Sequence, residues 1–94
     1  MLFLVKMSVD WPRDMPPDEA SALQKAERAY SANLQRKGVW KHLWRTTGIF
    51  GNISVFDVQS HEELHEVITG LPFYPYITLD ITPLSQHPGR IEDI

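Results

Sequence analysis

Residues 2–9, Leu-Phe-Leu-Val-Lys-Met-Ser-Val, place Leu2, Leu4, Lys6 and Ser8 on one side of an extended chain and Phe3, Val5, Met7 and Val9 on the other. Both sides are largely apolar. A strand of this kind belongs to a sheet covered on both faces, by helices on one and by a second subunit on the other. The chain has 94 residues and reads as one domain, 1–94. A domain this short buries a limited share of its surface, so self-association is expected from the outset.

The remaining elements follow from punctuation and periodicity. Trp11-Pro12 and Met15-Pro16-Pro17 make a stiff connection, and Asp18 and Glu19 then supply the negative charge that a helix N-terminus favours. The helix runs to Arg36-Lys37 and stops at Gly38. Val39–Thr46 and Asn52–Val58 are predicted as strands joined by a hairpin around Thr47-Gly48 and Gly51. Ser60-His61-Glu62-Glu63 matches a capping box, opening a second helix that buries Leu64, Val67, Ile68 and Leu71 and ends at Gly70 and Pro72. Tyr76–Ile81 is predicted as the last strand, and 82–94, with Pro83, Pro88 and Gly89, as an extended C-terminal tail. The order β-α-β-β-α-β is that of the α+β, ferredoxin-like fold. That architecture serves enzymes, metal carriers and RNA binders alike, so it does not decide function.

Composition removes several classes. Nine Lys and Arg against twelve Asp and Glu give a net charge of −3, with no basic stripe dense enough for a nucleic-acid backbone. Cysteine is absent, which excludes disulfides, Cys-ligated metals and thiol nucleophiles. The apolar opening is short and strand-like for a signal segment, and nothing approaches a membrane span, so a cytoplasmic location is expected.

Glu27 is the most informative candidate. Leu23, Tyr30 and Leu34 stand at helical spacing around it, which turns its carboxylate toward the buried stripe. Desolvation there raises a carboxyl pKa, as general-base work requires, although a stripe-edge Glu reaching solvent or an ion pair fits the same spacing. Lys6, a cation in an apolar strand, is its natural partner, or else it snorkels at a sheet edge. In Trp40-Lys41-His42-Leu43-Trp44-Arg45, alternation puts both tryptophans and His42 on one face, with Lys41 and Arg45 on the other. Arg45 suits a two-point bond to a substrate carboxylate, or an intersubunit salt bridge. His61 and His65 form an i,i+4 pair without a third ligand in view, and there is no phosphate-cradling loop or nucleophile elbow. No metal and no cofactor are expected.

MLFLVKM at the start, GVWKHLWRTTG, NISVFDV followed by ELHEV, and LPFYPY with a late HP together resemble the muconolactone isomerase family across nearly the whole chain. The resemblance implies a subunit of a dimeric α+β barrel, assembly into a homo-oligomer (a decamer), and a part in bacterial catechol breakdown through the β-ketoadipate route. It also implies a pocket in which Glu27 transfers the proton and Lys6 is the neighbouring lysine. Trp40, Arg45, Asn52 and Ser54 are the expected substrate-binding residues. The implied chemistry is a cofactor-free 1,3-proton shift on a γ-lactone, through a dienolate that cationic or hydrogen-bonding groups steady.

Two positions depart from the family pattern. Leu4 replaces a histidine found in many members, and Ile53 stands where an aromatic is common. The family has a dehalogenating branch that removes HCl from 5-chloromuconolactone, a reaction with no reprotonation at carbon. Loss of a titratable group near the pocket is tolerated more easily by that reaction. The expectation therefore leans to dehalogenation, with muconolactone Δ-isomerisation and a non-catalytic ligand-binding module as the alternatives.

Overall fold

The computed structural model describes residues 1–91. Its elements are β1 (Leu2–Val9), α1 (Pro17–Arg36), β2 (Trp40–Arg45), β3 (Gly51–Asp57), α2 (His61–Thr69), a single 3-10 turn (Tyr74–Tyr76) and β4 (Ile77–Leu84). The strands form one antiparallel sheet in the order β2-β3-β1-β4, the ferredoxin-like arrangement expected from the sequence.

The signals at the helix ends act as expected. At the end of α1, Gly38 takes φ 76°, and the amides of Gly38 and Val39 donate to Gln35 and Leu34. This satisfies two carbonyls that the helix leaves unpaired, in the geometry glycine adopts most cheaply. At the start of α2, Ser60 Oγ accepts from the Glu63 amide at 3.1 Å. Glu63 Oε2 returns the bond to the amide of Gln59, one residue before the cap, also at 3.1 Å. The box thus closes over a slightly longer loop than its usual form.

The two sides of β1 are separated by burial. Phe3, Val5 and Met7 are buried beneath the helices with Phe56, Leu64, Ile68 and Leu71, and Lys6 is exposed on the open side. Lys6 stands in register with Ile53 and Asp80. Alternation within β1 left the choice of side open, because both sides are apolar. Residue volume on the neighbouring strands decides it: Phe56 and Leu79 stand opposite Phe3 and Met7, and all four belong to or pack against the buried core on the helix side.

Strand β2 departs from simple alternation. Trp40 pairs with Phe56 but His42 pairs with Val55, so Lys41 sits in a register shift. A bulge of this kind moves every later side chain to the opposite face. Trp40 therefore lies inside at 3% exposure, whereas Trp44 lies outside at 55%, stacked on His42 at 5.1 Å. The single aromatic face expected for Trp40, His42 and Trp44 is corrected accordingly, and Leu43 and Arg45 turn inward.

Strand β4 continues past Ile81 to Leu84, so 82–84 belong to the sheet rather than to the tail. Pro83 fits there because β4 is an edge strand, where a missing N–H costs no ladder bond. Residues 92–94 of the expected tail lie outside the described residues.

Candidate functional site

The helix-covered side of the sheet is not filled evenly. Between α1 and the inward residues of β1, β2 and β3 lies a cleft of about 710 Å³. Helix α1 presents Gln24, Glu27, Arg28, Ser31 and Gln35 to it, a polar stripe at helical spacing. The sheet contributes Met7, Trp40, Leu43, Arg45 and Asn52, and Phe50, Phe73 and Ile77 close one side. Trp11 packs edge-on against Phe73 at 5.0 Å and Phe50 at 5.9 Å, which fixes that aromatic wall.

Glu27 is half-buried in the cleft, and its Oε1 accepts a hydrogen bond from the Phe73 amide at 3.1 Å. Among the described residues no cation lies within ion-pair distance of it. Burial raises its pKa above the ordinary carboxylate value, and the Phe73 N–H offsets only part of that rise. Tyr30, one turn along α1, has its own pKa raised by burial and by the negative charge of Glu27.

Asn52 and Ser54 are coupled. Ser54 is fully buried and donates from Oγ to Asn52 Oδ1 at 2.7 Å. This leaves the Asn52 NH2 group facing the sulfur of Met7 at 3.8 Å, a weak acceptor, with the amide on the cleft wall. Ser54 does not itself line the cleft; it acts by fixing which way the amide points. Trp40 lines the cleft and packs on Phe56 at 4.8 Å, and its Nε1 is buried with no hydrogen-bond partner. Arg45 reaches the cleft with its guanidinium 5.6 Å from the Phe50 ring centre.

The structure therefore brings Glu27, Trp40, Arg45 and Asn52 to one cleft, with Ser54 behind Asn52. It does not bring Lys6 there. Because Phe3, Val5 and Met7 occupy the helix side, Lys6 lies on the opposite face of the sheet, and the expected Lys6–Glu27 pair is not formed within the chain. Leu4 lies on that same far face. Arg28, Gln24, Ser31 and Gln35 were not singled out from the sequence. Their signal was present, since residues 24, 28, 31 and 35 repeat at three and four around Glu27. Polarity at such spacing does not by itself separate a cleft wall from a solvated face.

His61 and His65 sit apart, beside a smaller apolar groove between α2 and β4, where His61 packs edge-on against Phe3 at 5.4 Å. Among the described residues no group of three or more His, Cys, Asp or Glu is placed to hold a metal ion. No helix among them is long and apolar enough to cross a membrane.

The chain is similar to known proteins over nearly its whole length. The muconolactone delta-isomerase family profile matches residues 1–90. The muconolactone Delta-isomerase of Acinetobacter baylyi is 50% identical over 93 residues, covering 99% of this chain and 97% of its own. A crystal structure of muconolactone isomerase superposes with a TM-score of 0.94 at 45% identity, covering 100% of this chain and 98% of that one. The 5-chloro-2-hydroxyhydroquinone dehydrochlorinase of Burkholderia phenoliruptrix, at 20% identity and a TM-score of 0.64 over 93% of this chain and 96% of that one, shares the fold alone. Full-length identity and an equally complete structural match lead to one conclusion: the chain belongs to the muconolactone Delta-isomerase family of enzymes.

Proposed function

We propose that this protein isomerises a muconolactone-type γ-lactone by a cofactor-free 1,3-proton shift in which Glu27 carries the proton. The observation that supports this most directly is a half-buried carboxylate with a backbone amide as its hydrogen-bond donor and, among the described residues, no cation at ion-pair distance. Such a group takes a proton readily and gives it back. Glu27 removes the γ-proton beside the ring oxygen, and the electron pair moves through the double bond onto the lactone carbonyl as a dienolate. The same carboxyl returns the proton to the α-carbon, shifting the double bond and restoring the carbonyl. The Asn52 amide is suited to donate to the developing oxyanion, and Arg45 with Arg28 to bind the side-chain carboxylate. Lys6, on the far face, has no part in this cleft within one chain.

Isomerisation is preferred over HCl elimination for two reasons. The relatives of high identity carry the isomerase name. Leu4, whose missing histidine motivated the dehalogenase reading, stands across the sheet from Glu27. The test is an ultraviolet assay of the pure protein on muconolactone and 5-chloromuconolactone in parallel, with chloride release followed. Turnover of muconolactone that survives exhaustive chelation is expected. Activity confined to the chlorinated lactone, with stoichiometric chloride, would replace isomerisation by dehalogenation; no activity on either would end both.

The same reading includes a homo-oligomer, a dimeric barrel unit built into a decamer. The open face of the sheet carries Trp44 at 55% exposure and Leu84 at 39%, with Leu4, Ile53 and Val55 half-buried between them. Apolar surface of this kind calls for cover by a second copy. Sedimentation at micromolar concentration should give an oligomer, and a monomer there contradicts the assembly. A cytoplasmic site of action completes the proposal.

A further inference from the structure

Helix α2 ends in a way that reaches back to the base. Its last amides leave the regular pattern, for Gly70 N donates to Glu66 O at 3.0 Å but Leu71 N donates to Ile68 O at 3.2 Å. The carbonyl of Val67 is thereby left without a backbone partner, as happens at helix C-termini. Tyr30 of α1 supplies one: its hydroxyl donates to Val67 O at 2.7 Å. That approach is open only because residue 70 has no side chain. A Cβ on Gly70 would lie 2.6 Å from Tyr30 Oη and 3.1 Å from Glu66 O. The backbone at Gly70, φ −81° and ψ −8°, is ordinary for any residue, so the requirement is space and not conformation.

Three residues further on, the Phe73 amide donates to Glu27 Oε1 at 3.1 Å. Glu27 and Tyr30 are neighbours at i,i+3 on α1, so one helix face grips the segment 67–73 at two points. Between those points Leu71 is buried, and Phe73 is wedged against Trp11.

We propose that Tyr30 and Gly70 are positioning residues that hold the Phe73 N–H on the Glu27 carboxylate. The inference rests on Glu27 as the base for its catalytic consequence, though not for its geometry. A hydrogen bond to a carboxylate favours the ionised form, so any variant that lets Phe73 drift makes Glu27 harder to ionise. The acid limb of the rate profile then moves to higher pH. The other charged groups facing Glu27 are Arg28 from α1 and Arg45 from β2; among the described residues β1, β3 and β4 present no titratable side chain to the cleft. Both arginines are untouched by the variants below.

The experiment compares Tyr30→Phe, Gly70→Ala and the double variant. Carbon-detected NMR follows the Glu27 carboxyl titration, its signal identified by loss in Glu27→Gln, and kcat and KM are measured against pH. In Tyr30→Phe the Glu27 titration and the acid limb should both move up by about half to one pH unit, a fraction of what a hydrogen bond to a charged group is worth. Turnover lost on the acid side should return as pH is raised. Gly70→Ala should move the titration in the same direction, because its methyl displaces the Tyr30 hydroxyl. The double variant should match Tyr30→Phe alone in its titration, since with the oxygen gone the 2.6 Å clash disappears and the new Cβ is left 3.4 Å from Tyr30 Cζ and 3.1 Å from Glu66 O, a contact that does not involve Tyr30 or Phe73. A Tyr30→Phe protein that loses stability while its Glu27 titration stays in place makes the contact merely structural and overturns the proposal. Because the titration is read without turnover, full activity in Glu27→Gln would remove the base assignment and leave this result to stand or fall separately.

Discussion

The two helices cover the same face of one sheet and do opposite things there. Helix α2 has 9 residues and buries Leu64, Val67 and Ile68, which pack with Phe3, Val5 and Val58 into a closed core. Helix α1 has 20 residues, yet its buried residues are only Ser31 and Leu34. Where α2 sends leucine and isoleucine to the sheet, α1 sends Gln24, Glu27, Arg28 and Gln35, and a cleft remains. Polar side chains at inward positions forgo the transfer energy that apolar ones would contribute, on the order of 1.5–3 kcal/mol for each large side chain. The short helix therefore fills the core, and the long one lines the cleft in which the proposed chemistry would take place.

The contrast is sharpened first by Glu27→Gln. The substitution preserves volume and removes the proton acceptor, and kcat should fall by roughly two to four orders of magnitude while the protein still folds and binds lactone. Near-normal turnover would make the α1 stripe structural after all. Leu64→Ala on α2 should do the reverse, costing about 2–5 kcal/mol in urea unfolding and changing turnover little at temperatures where the protein stays folded. A cost below 1 kcal/mol there, by order of magnitude, would mean that the core under α2 is looser than its burial implies. Ser60→Ala removes the α2 cap and should cost about 1 kcal/mol, measured the same way.

The smallest effect is the pH dependence of stability contributed by Glu27. Its folded-state pKa is raised above 4.5 by burial, so the folded state binds the proton more tightly than the unfolded chain. The contribution of Glu27 is therefore fully favourable below pH 4.5 and is lost as pH rises through the folded value. Urea midpoints of the wild type and Glu27→Gln should lie closest at low pH and separate toward neutrality, with the Gln protein the more stable. The opposite trend would place an unseen cation beside the carboxylate, of the kind expected of Lys6.

Much of this was legible beforehand, for reasons that differ by residue. Glu27 could be found because an amphipathic helix repeats every three to four residues, and Leu23, Tyr30 and Leu34 fixed its phase. The element order, the Gly38 stop and the Ser60 cap are local signals and act locally. Lys6 could not be placed, because a strand with two apolar faces carries no mark of which one meets the helices. The β2 face differs from the alternating one because a bulge at Lys41 leaves no trace in the sequence, so Trp40 and Trp44 part company. Arg28 and Gln24 could not be assigned to the cleft from their spacing, since polarity alone does not tell a cleft wall from a surface.

The sequence by itself determined the fold, the inward phase of Glu27 on its helix and, through resemblance, the family, because these depend on short-range periodicity and on motifs in fixed order. Only the tertiary structure decided which face of the sheet is covered, which aromatic is buried, and that the Phe73 amide rather than a lysine meets Glu27. Those outcomes depend on volumes and backbone groups brought together from residues far apart in the chain, such as Glu27 and Phe73, 46 positions apart. No local pattern encodes a contact of that range; it is fixed when the helices settle on the sheet and the space between them fills or fails to fill.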